Sequence, residues 1–100
     1  MNFHEKKVLV LGSGETGISM AKWLSYLGAH LLLADSRISP PNQSFFDDLI
    51  PPQKRFFGHF NLKLLENIDA IVISPGVPLA ESLVQEAFKR NLPVFGDIEL

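Results

Sequence analysis

The sequence predicts a Rossmann-like α/β domain: a doubly wound, five-stranded parallel sheet in three layers, α/β/α. Three observations carry this. Short aliphatic runs at 8–11, 30–34 and 70–73 are apolar at nearly every position, as strands covered on both faces must be. Amphipathic helical patterns separate these runs, and strands alternating with helices pair in parallel. The first run leads straight into Gly12-Ser13-Gly14-Glu15-Thr16-Gly17, a Gly-x-Gly-x-x-Gly turn that opens a helix.

That turn has a physical use at each glycine. Gly12 lets the chain leave the strand sharply, Gly14 lets backbone N–H groups meet an anion with no Cβ in the way, and Gly17 lets the helix lie close to the sheet. The positive end of the helix dipole adds its attraction for a phosphate or pyrophosphate. The chemistry specifies an anion and leaves the nucleotide open.

The first helix is expected over 16–27, with Ile18, Ala21, Leu24 and Leu27 at helical spacing and Met20 and Trp23 widening the buried face. Gly28 stands where a left-handed residue ends a helix. The second strand, 30–34, closes on Asp35. Asp35-Ser36-Arg37 follows Gly17 by 18 residues, where a nucleotide-binding half reads whatever is attached to the phosphates.

Ser39-Pro40-Pro41-Asn42 is a loop by its prolines. A short helix is expected over 43–49, stopped by Pro51-Pro52, then a third strand over 55–57. A further short helix over 61–66 places Leu62, Leu64 and Leu65 in the core. The fourth strand, 70–73, runs into Ser74-Pro75-Gly76-Val77-Pro78, a rigid turn at the same carboxyl edge as the glycine turn. A helix over 80–90 turns Leu83, Ala87 and Phe88 inward, with Lys89 and Arg90 in its last turn. A fifth strand at 93–95 completes the order 3-2-1-4-5, and 96–100 begins a further element. Residues 1–100 read as one domain.

Composition narrows the function. A net charge of −2 and a pI near 5.8 offer no basic footprint for nucleic acid. There is no cysteine, which removes disulfide and thiolate chemistry. The apolar run after Lys7 is four residues long, too short for a signal peptide or a membrane span, so a cytoplasmic protein with no membrane contact is expected. His4, His30 and His59 share no ligand-like spacing and read as structural or solvent-facing, so no metal site is expected. Phe45-Phe46 and Phe56-Phe57 read as core and sheet-covering residues. Phe3, Phe60 and Leu100 are expected to be exposed where neighbouring domains would sit. Neither Asp47-Asp48 nor Asp97 with Glu99 forms an acid/base pair, and no residue is a catalytic candidate.

The residues alone leave alternatives open. The glycine fingerprint with an acidic residue after the second strand also suits the NAD- or NADP-binding domain of an oxidoreductase. A nucleotide-sensing module without chemistry is a third reading. At single residues the plainer alternatives are a loop-capping carboxylate for Asp35, a surface arginine for Arg37 and a strand-ending turn for Ser74-Pro75-Gly76.

The four stretches 8–17, Asp35-Ser36-Arg37-Ile38-Ser39-Pro40-Pro41, Ser74-Pro75-Gly76-Val77 and Gly96-Asp97-Ile98-Glu99-Leu100, in this order and spacing, resemble the N-terminal domain of the Mur ligases across essentially the whole chain. Within that family the match is to members that add D-glutamate to UDP-N-acetylmuramoyl-L-alanine. The resemblance implies an acid–amino-acid ligase that uses ATP and Mg2+, proceeds through an acyl phosphate and serves peptidoglycan precursor synthesis. It implies three domains: one for the UDP end, a central ATPase and a C-terminal one for the amino acid. The present chain corresponds to the first. It has no Gly-x-x-Gly-Lys-Thr/Ser phosphate loop, so the chain alone is expected to be inactive.

The resemblance also implies site residues. Gly14, Glu15 and Thr16 would meet the diphosphate through backbone N–H groups and the Thr16 hydroxyl. Asp35, Ser36 and Arg37 would border the uracil, and Ser74 and Gly76 would close the opposite wall. Gly12 and Gly17 would shape the turn. Relatives commonly carry an apolar residue in place of Glu15, whose carboxylate would repel a pyrophosphate unless it faces solvent or a cation.

Overall fold

In the computed structural model, which describes residues 2–40, 42–78 and 80–96, five strands form one parallel sheet in the order β3-β2-β1-β4-β5. The strands are β1 (Lys7–Leu11), β2 (His30–Asp35), β3 (Arg55–Phe57), β4 (Ala70–Ile73) and β5 (Val94–Phe95). Two helices, α1 (Glu15–Tyr26) and α2 (Ser82–Lys89), cover the two faces. The order and the layers are those the sequence predicts, and the expected start of an element at 97–100 lies outside the described residues.

The period of two along each strand deals side chains to two cores. Val8 and Val10 of β1, Leu31 and Leu33 of β2, and Ala70 and Val72 of β4 pack with Ile18, Met20, Ala21 and Leu24 of α1. Leu9 and Leu11, Ala34, and Ile71 and Ile73 pack on the other face with Leu83, Val84 and Ala87 of α2. The register pairs Val10 with Leu33 on one side and with Val72 on the other, so each residue of β1 continues a row across the sheet.

Several element expectations change. The helix expected over 43–49 is a single 3-10 turn, Gln43–Phe46, entered through left-handed Asn42. The stretch before Pro51 is too short to nucleate an α-helix, and buried Phe46 anchors it by accepting the amides of Leu49 and Ile50. The helix expected over 61–66 is likewise a 3-10 turn, Leu62–Leu65, with the Asn61 side chain accepting the Lys63 amide. The helix expected over 80–90 starts at Ser82, because the Glu81 amide is taken by Pro78 in a preceding turn. Pro93 lies outside β5, although its carbonyl accepts the Ile71 amide.

Core expectations change as well. The buried stripe of α1 runs through Gly17, Ile18, Met20, Ala21 and Leu24, so Trp23 lies at its edge, 40% exposed. Phe88 sits beside the stripe of Leu83, Val84 and Ala87 and is exposed, as is Leu62. Each phenylalanine pair splits: Phe46 and Phe57 turn inward while Phe45 and Phe56 face solvent. Phe3 and Phe60, expected at the surface, are buried. Phe3 fits edge-on between Trp23 and Phe95, and Phe60 joins the α2 core; Leu100 lies outside the described residues. The three histidines face solvent. Among the described residues no helix is long and apolar enough to cross a membrane.

Candidate functional site

The strand order reverses direction at β1: the chain moves outward to β2 and β3, then crosses back to β4 on the other side. The carboxyl ends of β1 and β4 therefore carry diverging connections, and ligands of open α/β sheets bind in the crevice between such ends. A crevice of about 610 Å³ lies there, within the range of small-ligand sites. It is lined by Gly12, Gly14, Glu15, Thr16, Asp35, Ser36, Arg37, Ser74, Pro75, Gly76 and Val77. Every residue expected to contact a ligand thus lines one cavity, although the three segments are far apart in sequence. Of the two shaping glycines, Gly12 lines it, while Gly17 lies on the buried face of α1 and is not part of the lining.

The floor is the glycine turn. Gly12 takes φ +96°, a backbone that residues with a Cβ rarely adopt, and its amide donates to the Ala34 carbonyl at 2.8 Å. Gly14 needs no such freedom, since its φ of −71° and ψ of −179° are ordinary extended backbone. A Cβ there would meet nothing within 4 Å, so what glycine provides is open space at the crevice floor. The Ile18 amide bonds back to the Gly14 carbonyl at 3.0 Å, and no side chain caps the helix start. The amides of the first turn have no intrahelical acceptor and are free to meet an anion. Thr16 is half-buried beside them, and Glu15 is exposed at the crevice lining.

Asp35 forms one wall and is 3% exposed. Its Oδ1 accepts from the Arg37 amide at 2.9 Å and Arg37 Nε at 2.8 Å. Its Oδ2 accepts from the Ser13 amide at 3.0 Å, the Ser13 hydroxyl at 2.9 Å and Arg37 Nη2 at 2.7 Å. Burial alone would push the carboxyl up. The hydrogen bonds from Arg37 and Ser13 outweigh it and hold Asp35 well below the usual carboxylate range. The same bond to Asp35 raises Arg37, whose side chain remains half exposed at the crevice edge.

Ser74 forms the opposite wall. It is buried, its amide donates to the Leu11 carbonyl at 2.9 Å and its hydroxyl to the Gly12 carbonyl at 3.3 Å. Its side chain thus holds the turn as well as lining the crevice. Pro75 and Gly76 are exposed at the rim, and Val77 turns back toward Gly12.

Two contributors escape sequence reasoning. Ser13 occupies a variable position of the glycine fingerprint, yet its amide and hydroxyl both serve Asp35. Asn42, from the proline-marked loop, donates to the Ser13 carbonyl at 3.2 Å. The available signal was a hydroxyl residue between the glycines, facing an acidic strand end.

The structure resembles shikimate dehydrogenase from Aquifex aeolicus with a TM-score of 0.66, covering 98% of this chain and 44% of that one. At 15% identity that likeness shows the fold alone. Sequence relatives are far nearer. UDP-N-acetylmuramoylalanine–D-glutamate ligases are 55% identical in Nitrosomonas europaea, 52% in Nitrosomonas eutropha and 49% in Nitrosospira multiformis, each over 100 residues covering all of this chain. The chain spans about a fifth of the length of these relatives, 21% in each case. The model of the Mur ligase MurD-like N-terminal domain matches residues 6–96, the stretch that contains the glycine turn, the Asp35 wall and the Ser74 wall. With its crevice segments and nearly its whole length inside that match, the chain belongs to the MurD-like N-terminal domain family of Mur ligases.

Proposed function

We propose that this chain is the domain that holds the UDP end of UDP-N-acetylmuramoyl-L-alanine in an ATP-dependent ligase adding D-glutamate during peptidoglycan precursor synthesis. In this reading the first-turn amides of α1 and the Thr16 hydroxyl take the diphosphate. Ser36 and Arg37, with Asp35 behind them, border the uracil, and Ser74 and Gly76 close the far side. The domain binds and orients substrate; ATP, Mg2+ and the amino acid belong to the central and C-terminal domains of such an enzyme. This is a cytoplasmic role that needs neither nucleic acid nor membrane.

The observation that carries the reading is the single crevice that gathers the three family segments at the carboxyl edge of the sheet. The dehydrogenase-like alternative shares the fold and the glycine turn. It also needs a carboxylate at the end of β2 free to bond a ribose hydroxyl. Here both Asp35 oxygens are engaged by Ser13 and Arg37, which favours the ligase reading.

Isothermal titration of the chain with UDP-N-acetylmuramoyl-L-alanine and, separately, with NAD tests the proposal. Binding of the UDP compound in preference to NAD is expected. Tighter binding of NAD would refute the ligase assignment.

A further inference from the structure

The five hydrogen bonds on Asp35 come from two places: Ser13, between the first two glycines of the turn, and Arg37, on the base wall. A carboxylate offers about four lone-pair positions, so protein donors saturate it. We propose that Asp35 is a positioning residue that couples the diphosphate turn to the base wall, acting through Ser13 and Arg37 and making no bond to the base. The inference rests on the function proposed above, which puts a UDP group in this crevice.

Each side of the coupling has a physical purpose. On the base wall, Nε and Nη2 of Arg37 grip the two carboxylate oxygens as a fork. That spends two of the five guanidinium N–H groups and fixes the plane in which the other three are offered. A half-exposed arginine without this grip would have to be immobilised by the ligand, at a cost to affinity. On the floor, the amide and hydroxyl of Ser13 are pinned to the same carboxylate, and Asn42 holds its carbonyl at 3.2 Å. The residue before Gly14 is therefore set, and with it the amides that follow. A UDP group engages both places at once through one ribose, so binding profits from walls fixed relative to each other before it arrives.

The test is isothermal titration of the full chain with UDP and with inorganic pyrophosphate, for wild type, Asp35→Asn, Arg37→Ala and the double variant. Asp35→Asn is expected to weaken both ligands about tenfold or more, the scale of losing charge-assisted bonds at each wall. Arg37→Ala is expected to weaken UDP more than pyrophosphate. The double variant should weaken UDP by less than the sum of the two single losses, because they overlap. Unchanged pyrophosphate affinity in Asp35→Asn, or losses for UDP that simply add, would place Asp35 on the base and overturn the proposal. Ser13→Ala covers the case in which Asp35→Asn does not fold: equal weakening of both ligands is expected, and a loss confined to UDP counts against coupling. The free protein supplies a readout that needs no nucleotide. Hydrogen exchange of the Arg37 Nε–H should quicken in Ser13→Ala if one carboxylate joins the two residues. No change there would sink the coupling itself, whereas a wild type that binds neither ligand would sink only the UDP reading.

Discussion

The Ser74 hydroxyl donates to the Gly12 carbonyl at 3.3 Å, tying the end of β4 to the end of β1 across 62 positions of sequence. Gly17 completes this joint from the helix side. A Cβ on Gly17 would collide with the Gly12 carbonyl oxygen and come within 2.9 Å of Ser74 Oγ. The closeness of α1 to the sheet is therefore set by the absence of one methyl group.

Gly17→Ala should destabilise the fold by about 1–3 kcal/mol, the usual cost of forcing a group into a packed site. The gain in helix propensity, about 1 kcal/mol, works against this and is the smaller effect because the obstacle is backbone. Urea denaturation of wild type and variant measures the difference, and an equally stable variant would show that the helix can lift without penalty.

Gly14→Val should behave in the opposite way. Its backbone is extended and its Cβ would stand in open space, so the loss of stability should stay near about 1 kcal/mol, typical of a poorer helix cap. The side chain would instead occupy the place of an anion at the first-turn amides. Titration with UDP should show at least a tenfold loss, by roughly the free energy of one charged hydrogen bond.

Stability should depend on pH through Asp35. Its folded carboxyl is held well below its unfolded value of about 4, so the folded state binds the proton more weakly than the unfolded chain. The contribution is full above about pH 4 and is lost as the pH falls from there toward the depressed folded value. It should amount to roughly 1–2 kcal/mol, reduced because Arg37 is half exposed. Guanidinium denaturation of wild type and Asp35→Asn at pH 7 and pH 3 should show a stability gap that narrows at the lower pH. A constant gap would mean that the carboxylate charge contributes nothing.

Arg55 should matter more than its ion pair suggests. Its guanidinium donates to the Ile50 carbonyl at 2.9 Å and to Asp47 at 3.0 Å, with the arginine side chain 9% exposed and the aspartate 65%. Arg55→Ala should cost about 1–3 kcal/mol by stranding the Ile50 carbonyl, whereas Asp47→Asn should cost under about 1 kcal/mol as an exposed partner. Thermal unfolding of the two variants checks the order, which equal losses would contradict.

The strands were legible because strands buried on both faces are apolar throughout and need no periodicity to be seen. Helix faces were less so. In α1 the centre of the buried stripe is made of Gly17 and Ala21, small residues that let the helix approach the sheet, and a count of bulky side chains drew Trp23 inward instead. The segments lining the crevice stood out as turns at strand ends, each with residue types suited to an anion or a base. Ser13 and Asn42 did not stand out. Their bonds reach across 22 and 29 positions, and nothing local marks which hydroxyl or amide a distant carboxylate or carbonyl will meet.

β1 is shared property: Val8 and Val10 belong to one core, Leu9 and Leu11 to the other. Neither half of the molecule can melt while the other keeps its wall, so unfolding should be all-or-none. The glycine turn hangs from the end of that strand and inherits its cooperativity. Local fraying there would have to break the central partition of the domain.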